Sequence, residues 1–154
     1  GRRERMSDDR DVICRIADGD LDAEIVQRDA DLIAFLDHRP VFKGHVLACP
    51  IRHIETLAGL PTELLTPLFG LVQRLSTAVV EGLGAEGSFT AINTVVSQSV
   101  PHLHVHVVPR TRGDGLRGFF WPRVRYAEGE AAEYAARLRT ALAAARPSAG
   151  EAGG

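Results

Sequence analysis

Three of the six histidines in this 154-residue chain alternate with apolar residues, in the order His102–Leu103–His104–Val105–His106. In an extended segment, alternate side chains share a face and stand about 6.5–7 Å apart. All three imidazoles should then line one surface while Leu103, Val105 and Val107 enter the opposite layer. Three readings are open. The stretch can be the polar face of a half-exposed strand. It can ligate a metal, since imidazoles alternating on a strand suit zinc. Or it can do nucleophilic and acid–base chemistry, for which a ring titrating near pH 6.5 is well matched.

The elements that must position these residues read as an α+β chain. Val12–Ile16 reads only as a short apolar stretch, and strands are expected at 24–28, 32–37, 45–51, 88–95 and 102–108, with turns at Asp29–Ala30–Asp31 and around Pro50 and Pro109. The clearest helix runs from Pro61 to Leu83: Leu64, Leu68, Leu71, Val72, Leu75, Val79 and Leu83 recur at helical spacing, Glu63 suits the first turn and Gly84 the stop. Pro67 falls inside it as a kink or a late start. A second, alanine-rich helix is expected over 128–146. The fold expected is an antiparallel sheet of approximately five strands with the long helix and the C-terminal helix packed on it.

Composition narrows the function. The chain is 45% hydrophobic and 25% charged, the balance of one globular domain. A formal net charge of −2 argues against a nucleic-acid binder working by phosphate neutralisation. No run approaches the roughly 20 apolar residues of a membrane span, and the N-terminus lacks the apolar core of a secretory signal. With two cysteines, Cys14 and Cys49, the chain is not a disulfide scaffold, and a cytoplasmic location is expected. Residues 1–10 read as a disordered arm or an expression remnant, with Met6 a candidate start; 11–146 as one domain, of which 110–146 is a C-terminal loop and helix; and 147–154 as a disordered tail.

The segment His102–Leu103–His104–Val105–His106–Val107–Val108 resembles the signature of the histidine triad (HIT) family. Its flanks, Ser97–Gln98–Ser99–Val100 and Pro109–Arg110, are similar to that family too. So are Ile33–Ala34–Phe35–Leu36–Asp37, Lys43–Gly44–His45–Val46–Leu47 and Pro50–Ile51–Arg52–His53–Ile54. The likeness covers roughly residues 11–112. It implies a HIT-like fold and a nucleotide hydrolase that cleaves at the α-phosphate of a nucleoside phosphoramidate, a dinucleoside polyphosphate or an aminoacyl-nucleotide. The product would be a nucleoside monophosphate such as AMP. By resemblance, His104 is the nucleophile that forms a nucleotidyl-imidazole, His106 contacts phosphate and leaving group, His102 supports the site, and His45 is a further pocket histidine. Gln98 and Ser99 match residues that hydrogen-bond phosphate or leaving group, Asp37 the acid that holds the ribose, and Asn93 a phosphate- or ribose-contacting asparagine set two residues closer to the triad. Ile13, Ile16 and Phe35 match the base pocket. A third histidine, where transferase branches carry glutamine, favours water as final acceptor, and attack by neutral imidazole implies rates that fall in mild acid.

The family's zinc site pairs a Cys-x-x-Cys with two histidines. Here the matching positions are Asp11, Cys14, His53 and His102, so the cysteine pair is broken. Aspartate can ligate zinc, yet loss of the site, with no cofactor required, is the favoured reading. The loop 113–126, with Gly113–Asp114–Gly115, Trp121 and Arg123, is expected either to tune substrate choice or to serve as a dimer contact or a tail packed on the core. The resemblance also implies a homodimer, a purine nucleotide as partner, and neither nucleic acid nor membrane. The alternative function is a nucleotide-binding regulator with little turnover.

Overall fold

The computed structural model describes residues 9–117 and 123–145. Phe119, Phe120 and Trp121 of the expected specificity loop, the arm up to Asp8 and the tail from Arg146 lie outside the described residues.

Five strands form one antiparallel sheet in the order β1(Ile25–Arg28), β2(Leu32–Leu36), β3(Val46–Pro50), β5(Val105–Arg110), β4(Gly87–Ala91). The alternation of side chains sorts the sheet into two faces. Leu32, Ala34, Val46, Ala48, Val105 and Val107 pack on one side. There they meet Leu64, Leu68, Leu71, Val72, Leu75 and Val79 of α2(Thr62–Leu83). Ile33, Phe35, Leu47 and Cys49 pack on the other side with Ile13, Ile16 and Ala17 of α1(Val12–Ala17). Burial on both sides explains why β3, central in the sheet, is apolar throughout: all five of its residues are buried.

Helix α2 runs unbroken through Pro67, which is exposed. On that face water can solvate the carbonyl that proline leaves without a donor. The helix stops where Gly84 takes φ +74° and turns its N–H back onto Val79 and Val80 carbonyls, a left-handed cap open to glycine at low cost. A second glycine sets the entry to β3: Gly44 has φ +95°, and a side chain there would also meet Leu83. This turn delivers His45 to the sheet.

Several elements differ from the sequence expectation: β4 ends at Ala91, Leu83 at the end of the α2 stripe is exposed, and β5 begins only at Val105, so His102 and His104 precede the strand, their rings held by the Pro50 and His102 carbonyls. Val12–Ala17, read only as a short apolar stretch, is helical because Asp11 caps it, accepting from the Cys14 N–H at 2.7 Å. The C-terminal helix α3(Glu130–Ala144), expected on the sheet, buries none of its residues. Its alanine-rich composition leaves only Tyr134, Leu138 and Leu142 as large apolar groups, all exposed. Among the described residues no helix is long and apolar enough to cross a membrane.

Candidate active site

The α1 face of the sheet opens into a cleft of about 800 Å³ lined by both apolar and ionisable side chains. Of the residues singled out from sequence, Ile13, Ile16, Phe35, Asp37, Ser99, His104 and His106 line it. His45 and His102 do not line it and are buried, at 3% and 0% exposure. Asn93 is exposed and does not line the cleft.

Gln98 does not line it either. Its Oε1 accepts from the Val95 N–H (2.9 Å) and its Nε2 donates to the Glu55 carbonyl (2.6 Å), so the side chain clasps two backbone segments together. The clasped loop is strained: Val95 and Ser97 both lie at positive φ, 64° and 62°. A β-branched residue there is costly and persists only where its surroundings hold it. The loop ends at Ser99, which does face the cleft.

Leu21, Asp22, Glu24, Leu47 and Val100 also line the cleft and were not anticipated. The signal available was the apolar–acidic alternation Leu21–Asp22–Ala23–Glu24 just before β1, a pattern with no chemistry of its own.

Hydrogen bonding fixes the proton positions on two of the triad rings. His104 Nδ1 lies 2.7 Å from the His102 carbonyl oxygen, which can only accept, so Nδ1 carries hydrogen. The neutral ring then holds its lone pair on Nε2. His102 Nε2 lies 2.7 Å from the Pro50 carbonyl and must donate there, which leaves Nδ1 as the ring's available ligand atom. The third ring, His106, stands edge-on to His104 with ring centroids 5.0 Å apart, and His45 Nε2 lies 2.9 Å from its Nδ1. On the far side of His45, Nδ1 accepts from the Val41 N–H at 3.1 Å, with Asp37 Oδ2 at 3.8 Å. Asp37 also accepts from the Arg39 N–H through Oδ1 (2.9 Å), so it shapes the turn while facing the cleft.

Burial, reinforced by the neighbouring His104 and His45, pushes the His106 ring down from 6.5 to about 4. Burial lowers His45 as well. Between those limits an unfolded chain binds a proton that the folded one refuses, so stability falls as pH drops from about 6.5 towards about 4. Thermal midpoints measured from pH 7 to pH 4 should therefore decline, and less steeply in His106→Gln. Identical slopes for the two proteins would contradict this assignment.

Behind His102 the four candidate metal donors converge, although a lost site would not need them assembled. Asp11 Oδ2, Cys14 Sγ, His53 Nδ1 and His102 Nδ1 all lie within 4.8 Å of one another. The sulfur stands 3.6 Å from His53 Nδ1, 3.4 Å from His102 Nδ1 and 3.5 Å from Asp11 Oδ2. Zinc–ligand bonds of about 2.0–2.3 Å at tetrahedral angles give sulfur-to-nitrogen or sulfur-to-oxygen edges of about 3.5 Å. Asp11 Oδ2 lies 2.7 Å from His53 Nδ1 and 3.1 Å from His102 Nδ1; in the neutral His102 ring the second contact sets a lone pair against a carboxylate oxygen, which a cation between them would relieve. Without a cation, burial and the Asp11 charge push the Cys14 thiol up to about 11; a divalent ion would reverse that order and favour thiolate. The donor set therefore fits zinc.

Comparison with known proteins agrees with this architecture. The HIT domain family profile matches residues 18–113. An uncharacterised HIT-like protein of Methanocaldococcus jannaschii is 35% identical over 107 residues, covering 68% of this chain and 81% of its own. The adenosine 5'-monophosphoramidase of Schizosaccharomyces pombe is 29% identical over 113 residues, covering 72% and 82%. The crystal structure of a zinc-bound histidine triad family protein from Mycobacterium smegmatis superposes with a TM-score of 0.65 at 34% identity, covering 87% of this chain and 96% of that one.

Proposed function

Because the chain belongs to the HIT domain family, a family that includes hydrolases, we propose that it hydrolyses nucleoside phosphoramidates at the α-phosphate through a covalent nucleotidyl-His104 intermediate. The observation that carries the reading is the pinned His104 ring. Its Nδ1–H is held by the His102 carbonyl, so the free Nε2 lone pair belongs to a side chain lining the cleft.

In the first step Nε2 of His104 forms a bond to phosphorus. The bond from phosphorus to the leaving nitrogen breaks, and the amine departs with that electron pair, protonated by solvent. In the second step water adds to phosphorus and gives its proton to solvent. The phosphorus–His104 bond breaks, the ring is restored and the nucleoside monophosphate leaves. The His102 carbonyl stabilises the positive charge that the ring acquires in between, as an orienting acceptor does for a catalytic imidazole. Ile13, Ile16, Phe35 and Leu47 supply an apolar wall for the base, and Asp37 carries an acceptor suited to ribose hydroxyls.

Charge favours a phosphoramidate over a dinucleoside polyphosphate. The carboxylates lining the cleft are Asp22, Glu24 and Asp37, and among the described lining residues there is no lysine or arginine. That net negative lining disfavours a chain of ionised phosphates more than a single phosphate with an amine leaving group, which brings less charge into the cleft. The test is release of monophosphate from a panel of adenosine and guanosine phosphoramidates and dinucleoside tri- and tetraphosphates. The phosphoramidates are expected to have the higher kcat/KM; turnover confined to the polyphosphates would refute this choice of substrate.

In this reading Asp11, Cys14, His53 and His102 would hold zinc. Bound there, it would act as a structural Lewis acid that ties the N-terminus of α1 to the approach of the triad strand. Asp11 serves twice, capping α1 through Oδ1 and facing the donor cluster through Oδ2.

A further inference from the structure

We infer that His45 is a positioning residue that fixes the tautomer of His106, and that the choice originates in the backbone N–H of Val41. The chain of contacts admits one assignment. The Val41 amide can only donate, and it points at His45 Nδ1 from 3.1 Å, so that nitrogen must be a lone pair. The competing partner, Asp37 Oδ2, is 3.8 Å away, beyond hydrogen-bond range for an Nδ1–H. A neutral His45 then carries its hydrogen on Nε2, which faces His106 Nδ1 at 2.9 Å. His106 Nδ1 accepts, so the neutral His106 ring carries its hydrogen on Nε2. The reverse polarity, with His106 Nδ1–H donating to His45, would force hydrogen onto His45 Nδ1 against the Val41 N–H.

Two consequences follow for the cleft that His106 lines. His106 presents an N–H donor and no acceptor, which suits an anionic phosphate oxygen and would repel nothing as charge builds there. It also cannot be resupplied through His45, because the chain ends in an amide that keeps its proton. His106 thus acts by a preset hydrogen bond and not as the end of a proton relay, and His45 acts through it without touching substrate. The functional half of this inference rests on the cleft being a phosphate site; the tautomer does not.

The test uses an isosteric pair at position 45. His45→Gln keeps the polarity, with an oxygen to accept from Val41 and an N–H to donate to His106. His45→Glu has the same shape but offers His106 Nδ1 only acceptors. Histidine side-chain ¹⁵N spectra at pH 8.5 read the tautomer directly, and monophosphate release reads the effect. His106 should carry Nε2–H in the wild-type protein and in His45→Gln, with turnover in that variant within about tenfold of wild type. In His45→Glu the hydrogen should move to Nδ1, with kcat falling by about 10²–10³, the usual cost of losing one preorganised donor. A wild-type His106 carrying Nδ1–H overturns the inference. So does a His45→Gln variant as impaired as His45→Glu, or a His45→Glu variant that keeps both the Nε2–H tautomer and its turnover. If the wild-type protein releases no monophosphate from any substrate, the catalytic reading fails, and the tautomer assignment is still decided by the spectra.

Discussion

His104→Asn should lower kcat for monophosphate release by at least about 10³ while the nucleoside monophosphate still binds, because the variant loses its covalent nucleophile. Asparagine is the informative replacement. Its side-chain amide can still donate to the His102 carbonyl, the bond that pins the wild-type ring at 2.7 Å, so the strand entry need not rearrange. What it lacks is a nucleophilic lone pair at the place of Nε2. Rapid acid quenching of the wild-type protein during turnover should trap a phosphorylated histidine, and the variant should trap none. Near-normal turnover in His104→Asn would exclude the covalent route. A wild-type protein that binds nucleotide tightly and releases no monophosphate would instead favour a regulator.

The second large effect concerns the metal. Protein purified without chelator should carry about one zinc ion per chain by elemental analysis, and Cys14→Ala should lose it. A site filled a thousandfold above its Kd stabilises by about 4 kcal/mol. In a chain of this size that corresponds to a fall in Tm of roughly 8–16 °C on chelation or in Cys14→Ala. Asp11 allows a sharper discrimination. Asp11→Asn retains a good helix cap but a poor ligand and should bind zinc more weakly. Asp11→Cys gives up the carboxylate but restores a thiolate pair and should keep the metal. If chelation leaves Tm unmoved and no zinc is found after supplementation, the four side chains are a hydrogen-bonded cluster and nothing more. These readouts are independent of turnover, so they hold whatever substrate the cleft accepts.

Much of the framework was legible in the chain itself because it is written in local periodicity. The alternation in His102–Leu103–His104–Val105–His106 does place Leu103, Val105 and Val107 in the core beneath α2, but regular strand begins only at Val105, and the His102 and His104 rings are set by hydrogen bonds to backbone carbonyls. The stripe from Leu64 to Val79 likewise fixes the buried face of α2. The HIT family membership follows from spaced motifs of the same local kind. The short helix at Val12 was missed because six residues show too little periodicity, and its cap, Asp11, was read only as one of four candidate zinc ligands. The packing of α3 was overestimated because an alanine-rich helix announces its conformation but carries few side chains worth burying.

What the sequence determined, then, is which residue types share a face; what only the tertiary structure decided is which atoms of those residues meet. Asp11, Cys14, His53 and His102 come from three separate stretches of chain, and packing alone sets whether their donors converge. Gln98 has the composition of a phosphate ligand, yet two backbone groups claim its amide. The hydrogen on each imidazole is dictated by carbonyls of His102 and Pro50 and by the amide of Val41. Backbone groups are the same at every position, so a sequence cannot say which of them will stand beside a ring; only the folded path of the chain brings a particular one within hydrogen-bond distance.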